Sequence, residues 1–204
     1  MPRRYDLGKR TAQVELTRRR LVGAAIELYT ERGISHVTML QVAHRADVAP
    51  NTAFNHFATR EALDEEIAGV AVREMAVPDA AVIDGGLTLA ARIAQLALVV
   101  GAFFERAGRW YRMWLREPML GGPWLAAGEQ VSAGWDAVFR AALGSLSDDA
   151  DAMDVVRAAM QPPFFEQVAA RGRAPDETAA LVAAALVPWL ELRERAARRR
   201  PPSR

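Results

Sequence analysis

The chain contains no cysteine, which excludes a disulfide framework and a metal site built from thiolates. It also lacks an apolar run long enough to span a bilayer, because residues 87–104 are interrupted by Arg92 and Gln95 and residues 178–190 are too few. The N-terminus shows no apolar stretch typical of a signal peptide. We therefore expect a soluble, cytoplasmic protein without a membrane partner.

Motifs of enzymatic chemistry are lacking too. The sequence has no serine nucleophile elbow, no glycine-rich phosphate loop and no His-Glu-x-x-His metal motif. Four aspartates cluster at residues 148–154, but they lie at a predicted helix start, where acidic side chains favour the positive end of the helix dipole. We therefore predict a protein that is not an enzyme and that uses no metal and no cofactor.

Alternating apolar patterns are rare and alanine is abundant, which favours an all-α fold. Hydrophobic residues make up 51% of the chain, enough for a substantial core. Gly108 is expected to separate two of the helices that glycine and proline delimit in the C-terminal part. These predicted helices lie near residues 87–106, 109–116, 124–143, 149–160, 164–171 and 176–198.

Charge is unevenly distributed although the net charge is only +1. Residues 1–60 carry ten Lys and Arg against five Asp and Glu, whereas residues 61–189 carry ten against eighteen. A basic head on an acidic body is expected of a DNA-binding domain fused to a domain of another kind. Taken alone, the asymmetry is equally compatible with ordinary surface charge.

Residues 38–57 are the most informative segment, because they indicate a helix, a tight turn and a second short helix. Thr38 and Gln41 have the spacing of a capping box at the first helix. Asp47 falls at the turn, where a left-handed residue is usually needed, and Pro50 suits the first position of the next helix. Spacing alone is also compatible with a solvated helical hairpin.

The second short helix is polar and carries no acidic residue, which suits contacts with base edges and phosphates in a DNA groove. Phe54 and Phe57 are its expected apolar anchors. Upstream, an apolar stripe predicts a helix over residues 17–32 that Gly33 ends. Downstream, Thr59 can cap a helix over residues 60–76.

This arrangement resembles the tetracycline-repressor (TetR) family of transcriptional regulators. The resemblance covers about a quarter of the chain, and the remainder is similar to the family only in length and helical character. The chain departs from the family pattern at Asp47, where a turn glycine is common, at Ala49, where a serine usually caps the second helix, and at Phe54, where a tyrosine often touches a phosphate. The matching segments are RRRLVGAAIELYTERG at 18–33, T-x-x-x-V-A-x-x-A-x-V at 38–48, N-T-A-F-N-H-F at 51–57 and T-R-E-A-L at 59–63.

The resemblance implies an N-terminal three-helix DNA-binding unit with a helix–turn–helix, followed by a C-terminal helical domain for ligand binding and dimerisation. We predict a flexible basic arm at residues 1–16 and the DNA-binding domain at residues 17–59. The ligand-binding and dimerisation domain is predicted at residues 60–198, beginning with a connecting helix at residues 60–76. A frayed tail is predicted at residues 199–204.

Candidate DNA contacts lie on both helices of the motif. Asn51 and Asn55 are the candidates for base edges, since an asparagine can form two hydrogen bonds with adenine. Thr38, Thr52, His56 and Arg60 are the candidates for phosphates, with Gln41 and Arg45 as secondary candidates.

Residues 103–139 concentrate aromatic side chains, and the TetR resemblance implies a ligand pocket among them, although plain core packing is an alternative. The predicted ligand-binding residues are Phe103, Phe104, Arg106, Trp110, Tyr111, Met113, Trp114, Trp124, Trp135 and Phe139. The resemblance implies a dimer interface at residues 176–192 of the last helix plus one helix from residues 149–171, with an intramolecular core helix as the alternative. Pro188 is expected to kink the last helix or to remove one backbone hydrogen bond. The predicted interface residues are Leu181, Val182, Ala185, Leu186 and Trp189.

Together these features predict a ligand-responsive, sequence-specific, DNA-binding transcriptional repressor that acts as a homodimer on a palindromic operator. Its predicted partners are double-stranded DNA, a second copy of the chain and a small apolar or aromatic effector. Two alternatives remain open: an activator on the same fold, and a helical small-molecule-binding protein that has lost DNA binding.

Overall fold

The computed structural model describes residues 7–117 and 120–199. Over these ranges it contains nine α-helices and no strand, which confirms the all-α fold class. None of these helices is both long and apolar enough to cross a membrane. The helices are α1 (Leu7–Arg32), α2 (Met39–Arg45), α3 (Pro50–His56), α4 (Arg60–Met75), α5 (Leu89–Leu115), α6 (Pro123–Leu143), α7 (Ala150–Ala159), α8 (Pro162–Ala169) and α9 (Pro175–Arg199).

The chain forms two compact units. Unit 1 comprises the described residues up to Glu74 together with Arg109–Gly128. Unit 2 comprises Met75–Gly108 together with the described residues from Glu129 onward. Almost all of α4 therefore belongs to the same unit as the helix–turn–helix, whereas the predicted domain division fell between residues 59 and 60.

Unit 1 packs around the apolar face of α1. Leu21, Ala25 and Tyr29 are fully buried, as the helical spacing predicted. Val42 of α2 and Ala53 of α3 are also fully buried, so each helix of the helix–turn–helix contributes a small side chain to this core. Because one face of each helix is buried, the opposite face is exposed to solvent.

Unit 2 has a separate hydrophobic core to which α5, α6, α7 and α9 all contribute. Its centre includes the fully buried Ile93 and Leu96 of α5, Val138 of α6, Val156 of α7 and Leu190 of α9. The apolar period of 3.6 residues in these alanine-rich segments produces this core.

The predicted break at Gly108 is wrong, because α5 continues from Leu89 to Leu115. A glycine in a helix costs only about 1 kcal/mol relative to alanine. The buried neighbours Ala107 and Trp110 favour continuation by more than that, since burying one large apolar side chain contributes roughly 1.5–3 kcal/mol.

The arm predicted over residues 1–16 is helical from Leu7 onward, and residues 1–6 lie outside the described residues. Good helix formers and the (i, i+4) pair between Glu15 and Arg19 support this extension of α1. At the other end, α9 runs through Pro188, so the carbonyl of Ala184 receives no bond from residue 188. Of the predicted tail, residues 200–204 lie outside the described residues.

Two glycines of unit 1 predict stability changes of opposite sign. A Cβ on Gly128 would overlap Trp114 Cζ2 and lie 2.7 Å from Cη2. We expect Gly128→Ala to destabilise the protein by about 1–3 kcal/mol, the usual cost of overpacking. Gly23→Ala is the matched control, because its Cβ would meet no described atom outside its own helix within 4 Å. The control should stabilise by about 0.5–1 kcal/mol, since glycine is a poor helix former.

The measurement is urea-induced unfolding followed by tryptophan fluorescence. A stabilising effect of Gly128→Ala similar to that of Gly23→Ala would contradict the close approach of the Trp114 ring.

Candidate nucleic-acid interface

Four local features shape the helix–turn–helix, and the sequence predicted all of them: the two hydrogen bonds of the capping box, a left-handed residue in the turn and a proline in the first turn of α3. Thr38 Oγ1 accepts from the Gln41 amide at 3.3 Å, and Gln41 Oε1 accepts from the Thr38 amide at 2.8 Å, which completes the capping box. Asp47 has φ +53° in the turn, and Pro50 occupies the first turn of α3. Because these interactions join residues at most four apart, the sequence alone specifies the geometry of the turn.

The α3 helix has one buried and one exposed face. Ala53 and Phe57 are buried at 0% and 2% exposure, and they attach the helix to the core of unit 1. Asn51 and Asn55 are exposed one turn apart, where two amide groups face outward together. Phe54 is 44% exposed, so the expectation that it anchors the helix is wrong. Thr52 and His56 lie at the edges of the exposed face and are half-buried.

Two arginines of α1 bind carbonyls at the C-terminal ends of α2 and α3. Arg20 Nη2 donates to the carbonyl of Ala46 at 2.6 Å and to that of Asp47 at 3.2 Å. Arg18 Nη1 donates to the carbonyl of His56 at 3.2 Å, and its guanidinium lies 4.3 Å from the centre of the Phe57 ring. A cation at a helix C-terminus satisfies carbonyls that have no partner within the helix. Arg18 and Arg20 therefore fix where α2 and α3 end.

Sequence reasoning did not assign a role to these two arginines. The available signal was indirect: α3 carries no lysine or arginine of its own, so a cation for its C-terminus must come from elsewhere. Nothing in the spacing of residues 18–20 indicates which carbonyl each arginine would reach.

Arg60 lies in a partly buried polar network between α1 and α4. Its Nε donates to Asp64 Oδ1 at 3.0 Å, Nη2 donates to the carbonyl of Ile34 at 2.8 Å, and Nη1 donates to the carbonyl of Val37. The Tyr29 hydroxyl donates to the same Asp64 oxygen at 2.5 Å. Burial raises the pKa of Tyr29 above its ordinary value, and the bond to Asp64 raises it further. The phosphate contact predicted for Arg60 stays a prediction, and it would require the guanidinium to leave these partners.

The other candidates on α2 are also engaged within the protein. Arg45 donates to Glu31 at 2.8 and 2.9 Å and to Glu27 at 3.2 Å, which joins the end of α2 to α1. The hydrogen bond from Arg45 lowers the pKa of the Glu31 carboxyl below its usual value. Thr38 and Gln41 are occupied by the capping box. The residues best placed to contact another molecule are therefore Asn51 and Asn55.

The predicted ligand-binding residues divide between the two units. In unit 2, the Phe103 ring centre lies 5.6 Å from that of Phe104 and 4.9 Å from that of Trp135, and Trp135 lies 5.6 Å from Phe139. Arg106 of the same unit donates to the carbonyl of Ala102, which lies in the same helix. In unit 1, a narrow apolar cleft is lined by Trp110, Met113, Trp114 and Trp124 together with Ile34, Ala71 and Leu120. Tyr111, also in unit 1, is half-buried.

The predicted dimer residues on α9 fall on two faces. Val182 and Leu186 are buried within the core of unit 2, at 1% and 8% exposure. Leu181 and Ala185 are exposed, and Trp189 is half-buried. With Pro188 and Leu192, the exposed residues form an apolar stripe at positions 181, 185, 188 and 192. This spacing places the four side chains on one side of the helix.

Residues 21–67 match the model of a family described as bacterial regulatory proteins, tetR family. The matched range contains α2, the turn, α3 and the network around Arg60. This segment of the chain is similar to the TetR family. TcmR of Streptomyces glaucescens, an HTH-type transcriptional regulator, is 39% identical over 54 residues, which cover 26% of this chain and 24% of TcmR. An uncharacterized HTH-type transcriptional regulator of Haemophilus influenzae is 32% identical over 117 residues, 54% of each chain.

The chain thus spans between a quarter and about half of the length of these relatives. Solved structures cover more of it. A TetR-family member from Streptomyces coelicolor A3 is 25% identical and has a TM-score of 0.55, with 83% of this chain and 97% of that chain covered. GusR of Salmonella enterica is 16% identical with a TM-score of 0.58, over 86% and 95% of the two chains. The multidrug binding protein EbrR is 24% identical with a TM-score of 0.50, over 91% and 93%. These similarities confirm a TetR fold.

Ala49 leaves α3 without a side-chain cap. Its backbone, at φ −62° and ψ 142°, already has the extended conformation of an N-cap residue. We expect Ala49→Ser to raise the free energy of unfolding by about 1 kcal/mol, because a serine hydroxyl accepts from an unpaired amide of the first turn. Differential scanning calorimetry measures the change. Ala126→Ser, at an exposed position inside α6, is the control and should give no gain.

Proposed function

We propose that this chain is a transcriptional regulator that reads a DNA sequence with the exposed face of α3. The observation that carries the proposal is the pair of outward asparagines, Asn51 and Asn55, on a helix whose other face is buried at Ala53 and Phe57. A rigidly held amide can form two hydrogen bonds with the N6 and N7 positions of adenine in the major groove. Rigidity matters because a base contact discriminates only if its geometry is fixed.

We further propose that the regulator acts as a homodimer on a palindromic operator. One short helix contacts only a few base pairs, whereas two helices related by a two-fold axis contact half-sites about 34–36 Å apart. The apolar stripe on α9, with Leu181 44% and Leu192 63% exposed, is the surface proposed to pair with a second copy. Large exposed leucines at helical spacing on one face support a protein–protein contact.

The proposed direction of regulation is repression that a small apolar or aromatic effector relieves. The effector would bind among the aromatic side chains of unit 2, at Phe103, Phe104, Trp135 and Phe139. EbrR, which shares the fold, is a multidrug binding protein that has been crystallised with ethidium, a flat aromatic cation, and this supports an aromatic effector here. A ligand changes DNA affinity only to the extent that it prefers one conformation of the protein over another. A thermal-shift screen of planar aromatic compounds tests binding, and a positive compound should then release bound DNA.

The experiment that tests DNA reading is selection from a pool of random-sequence duplexes, followed by titration of the enriched duplex at several salt concentrations. We expect enrichment of a palindrome, binding by two copies per duplex, and an affinity that falls steeply with salt because counterions are released. Weak binding that is equal for every duplex would instead support the alternative in which the chain binds small molecules and not DNA.

A reporter gene placed behind the enriched palindrome distinguishes repression from activation. Expression that rises when the regulator gene is removed supports a repressor, and expression that falls supports an activator. Either result would leave sequence-specific binding in place. The proposal also locates the protein in the cytoplasm, where its DNA lies.

A further inference from the structure

A carboxylate that lies just beyond the C-terminal end of α5 is bound to the turn that leads into the helix–turn–helix. Glu117 Oε2 accepts from the Ser35 amide at 2.9 Å and from the Ser35 hydroxyl. Next to it, Arg116 Nη1 donates at 3.0 Å to the carbonyl of Thr30, in the last turn of α1. All four residues belong to unit 1, although 82 positions separate Glu117 from Ser35.

The approach of Glu117 depends on the glycine that ends α1. Gly33 has φ +89°, a conformation that a side chain disfavours. A Cβ at this position would also overlap Glu117 Oε1. Gly33 therefore meets two independent requirements, since it ends α1 and it leaves room for the carboxylate.

The turn itself is short and connects directly to the first reading helix. It is a 3-10 turn at Ile34–His36, two residues before Thr38, the N-cap of α2. Arg60 binds the carbonyls on either side of it, at Ile34 and Val37. Glu117 binds the amide and the hydroxyl in its middle. Arg60 of α4 and Glu117, which follows α5, therefore both bind the turn that precedes α2.

Glu117 carries one feature that simple packing does not require. Its Oε1 is buried, and in the part of the chain that the structure describes no hydrogen bond reaches it. A buried acceptor without a partner is costly, so such an atom is rare unless the group has a further role. The carboxylate binds Ser35 with one oxygen while the other is left in this unfavourable position.

We propose that Glu117 is a positioning residue for DNA reading: its carboxylate fixes the turn at Ile34–His36, and through that turn it sets the position of α2 and α3. The inference rests on the proposed DNA-reading function and extends it to a residue far outside the helix–turn–helix. A displacement of residues 116–117 would change the position of the reading helices directly, since only residues 36–38 separate the contact at Ser35 from the start of α2.

The test measures the affinity of four variants for two duplexes, the one that the wild type enriches and an unrelated one. The variants are Glu117→Ala, Glu117→Gln, Glu129→Ala and the double variant Ser35→Ala with Glu117→Ala. We expect Glu117→Ala to weaken binding of the enriched duplex about tenfold, because a hydrogen bond to a charged group is lost. Binding of the unrelated duplex should change less than twofold, since the phosphate contacts are kept. Glu117→Gln keeps an acceptor oxygen for Ser35 and should stay within about threefold of the wild type. Glu129→Ala, which removes an exposed carboxylate of α6, is the control and should have no effect.

Ser35→Ala combined with Glu117→Ala tests whether the two residues act through one contact. The double variant should bind the enriched duplex no more weakly than Glu117→Ala alone, because the shared bond is already gone. Hydrogen exchange of the protein without DNA provides a second readout. Amides of residues 35–41 should exchange faster in Glu117→Ala than in the wild type, while those of α9 should not change.

The outcomes separate this inference from the proposed function. Equal weakening of both duplexes by Glu117→Ala, or an enriched-duplex affinity within twofold of the wild type, would overturn the positioning role. The same holds if Glu117→Gln is as defective as Glu117→Ala, or if exchange at residues 35–41 is unchanged. If the wild type enriches no duplex, the proposed function fails, and the exchange measurement still decides whether Glu117 holds the turn.

Discussion

Asp64→Ala is expected to lower the free energy of unfolding by about 3 kcal/mol, the typical loss when one partner of a buried ion pair is removed. Asp64 is 9% exposed and accepts from both Arg60 and the Tyr29 hydroxyl. Its removal leaves the guanidinium without a counter-charge and the buried hydroxyl without an acceptor. For a chain of this size the melting temperature should fall by roughly 6–12 °C.

The matched control is Glu65→Ala, the exposed acidic neighbour on the same helix, which should cost less than about 0.5 kcal/mol. Asp64→Asn should fall between the two, because the amide oxygen still accepts a hydrogen bond but carries no charge. Thermal unfolding of the three variants side by side gives the comparison. A loss below about 1 kcal/mol for Asp64→Ala would mean that the network contributes little to stability.

Asn51→Ala is expected to weaken binding of the enriched duplex by about 1–3 kcal/mol per protomer, which corresponds to roughly five- to 150-fold. The physical reason is the loss of two hydrogen bonds to one base, while the buried face of α3 is untouched. Discrimination should relax at one base pair of each half-site and persist at the others. Fluorescence anisotropy with duplexes mutated one position at a time measures both effects.

Gln130→Ala provides the control for Asn51→Ala, because it removes an exposed amide from α6, outside the proposed interface. It should leave both affinity and discrimination unchanged. Uniform weakening of all duplexes by Asn51→Ala would contradict a base contact, and an unchanged affinity and discrimination would show that the assignment of Asn51 is wrong.

Features determined by residues close in sequence could be predicted from the sequence. The capping box at Thr38, the left-handed Asp47 and the glycine end of α1 at Gly33 depend on interactions across at most four residues. The buried stripe of α1 follows from apolar spacing alone. The TetR resemblance used these same local patterns, which explains why it extended only over the N-terminal quarter of the chain.

Long-range partners could not be predicted in the same way. Arg60 was predicted as a phosphate contact and Arg45 as a secondary DNA contact, and only the folded chain shows that Asp64 and Glu31 already bind them. Phe54 was expected inside because it is apolar. The buried face of the seven-residue helix α3 is occupied by Ala53 and Phe57, however, which leaves Phe54 outside.

The attachment of α3 by Arg18 and Phe57 has a consequence for altering specificity. Both contacts lie at the rear and the end of the helix, away from positions 51, 54 and 55. Those three side chains can therefore be exchanged without disturbing how the helix is seated. If α3 reads DNA as proposed, a small combinatorial library at these outward positions should yield variants that bind new DNA sequences while the free energy of unfolding stays the same.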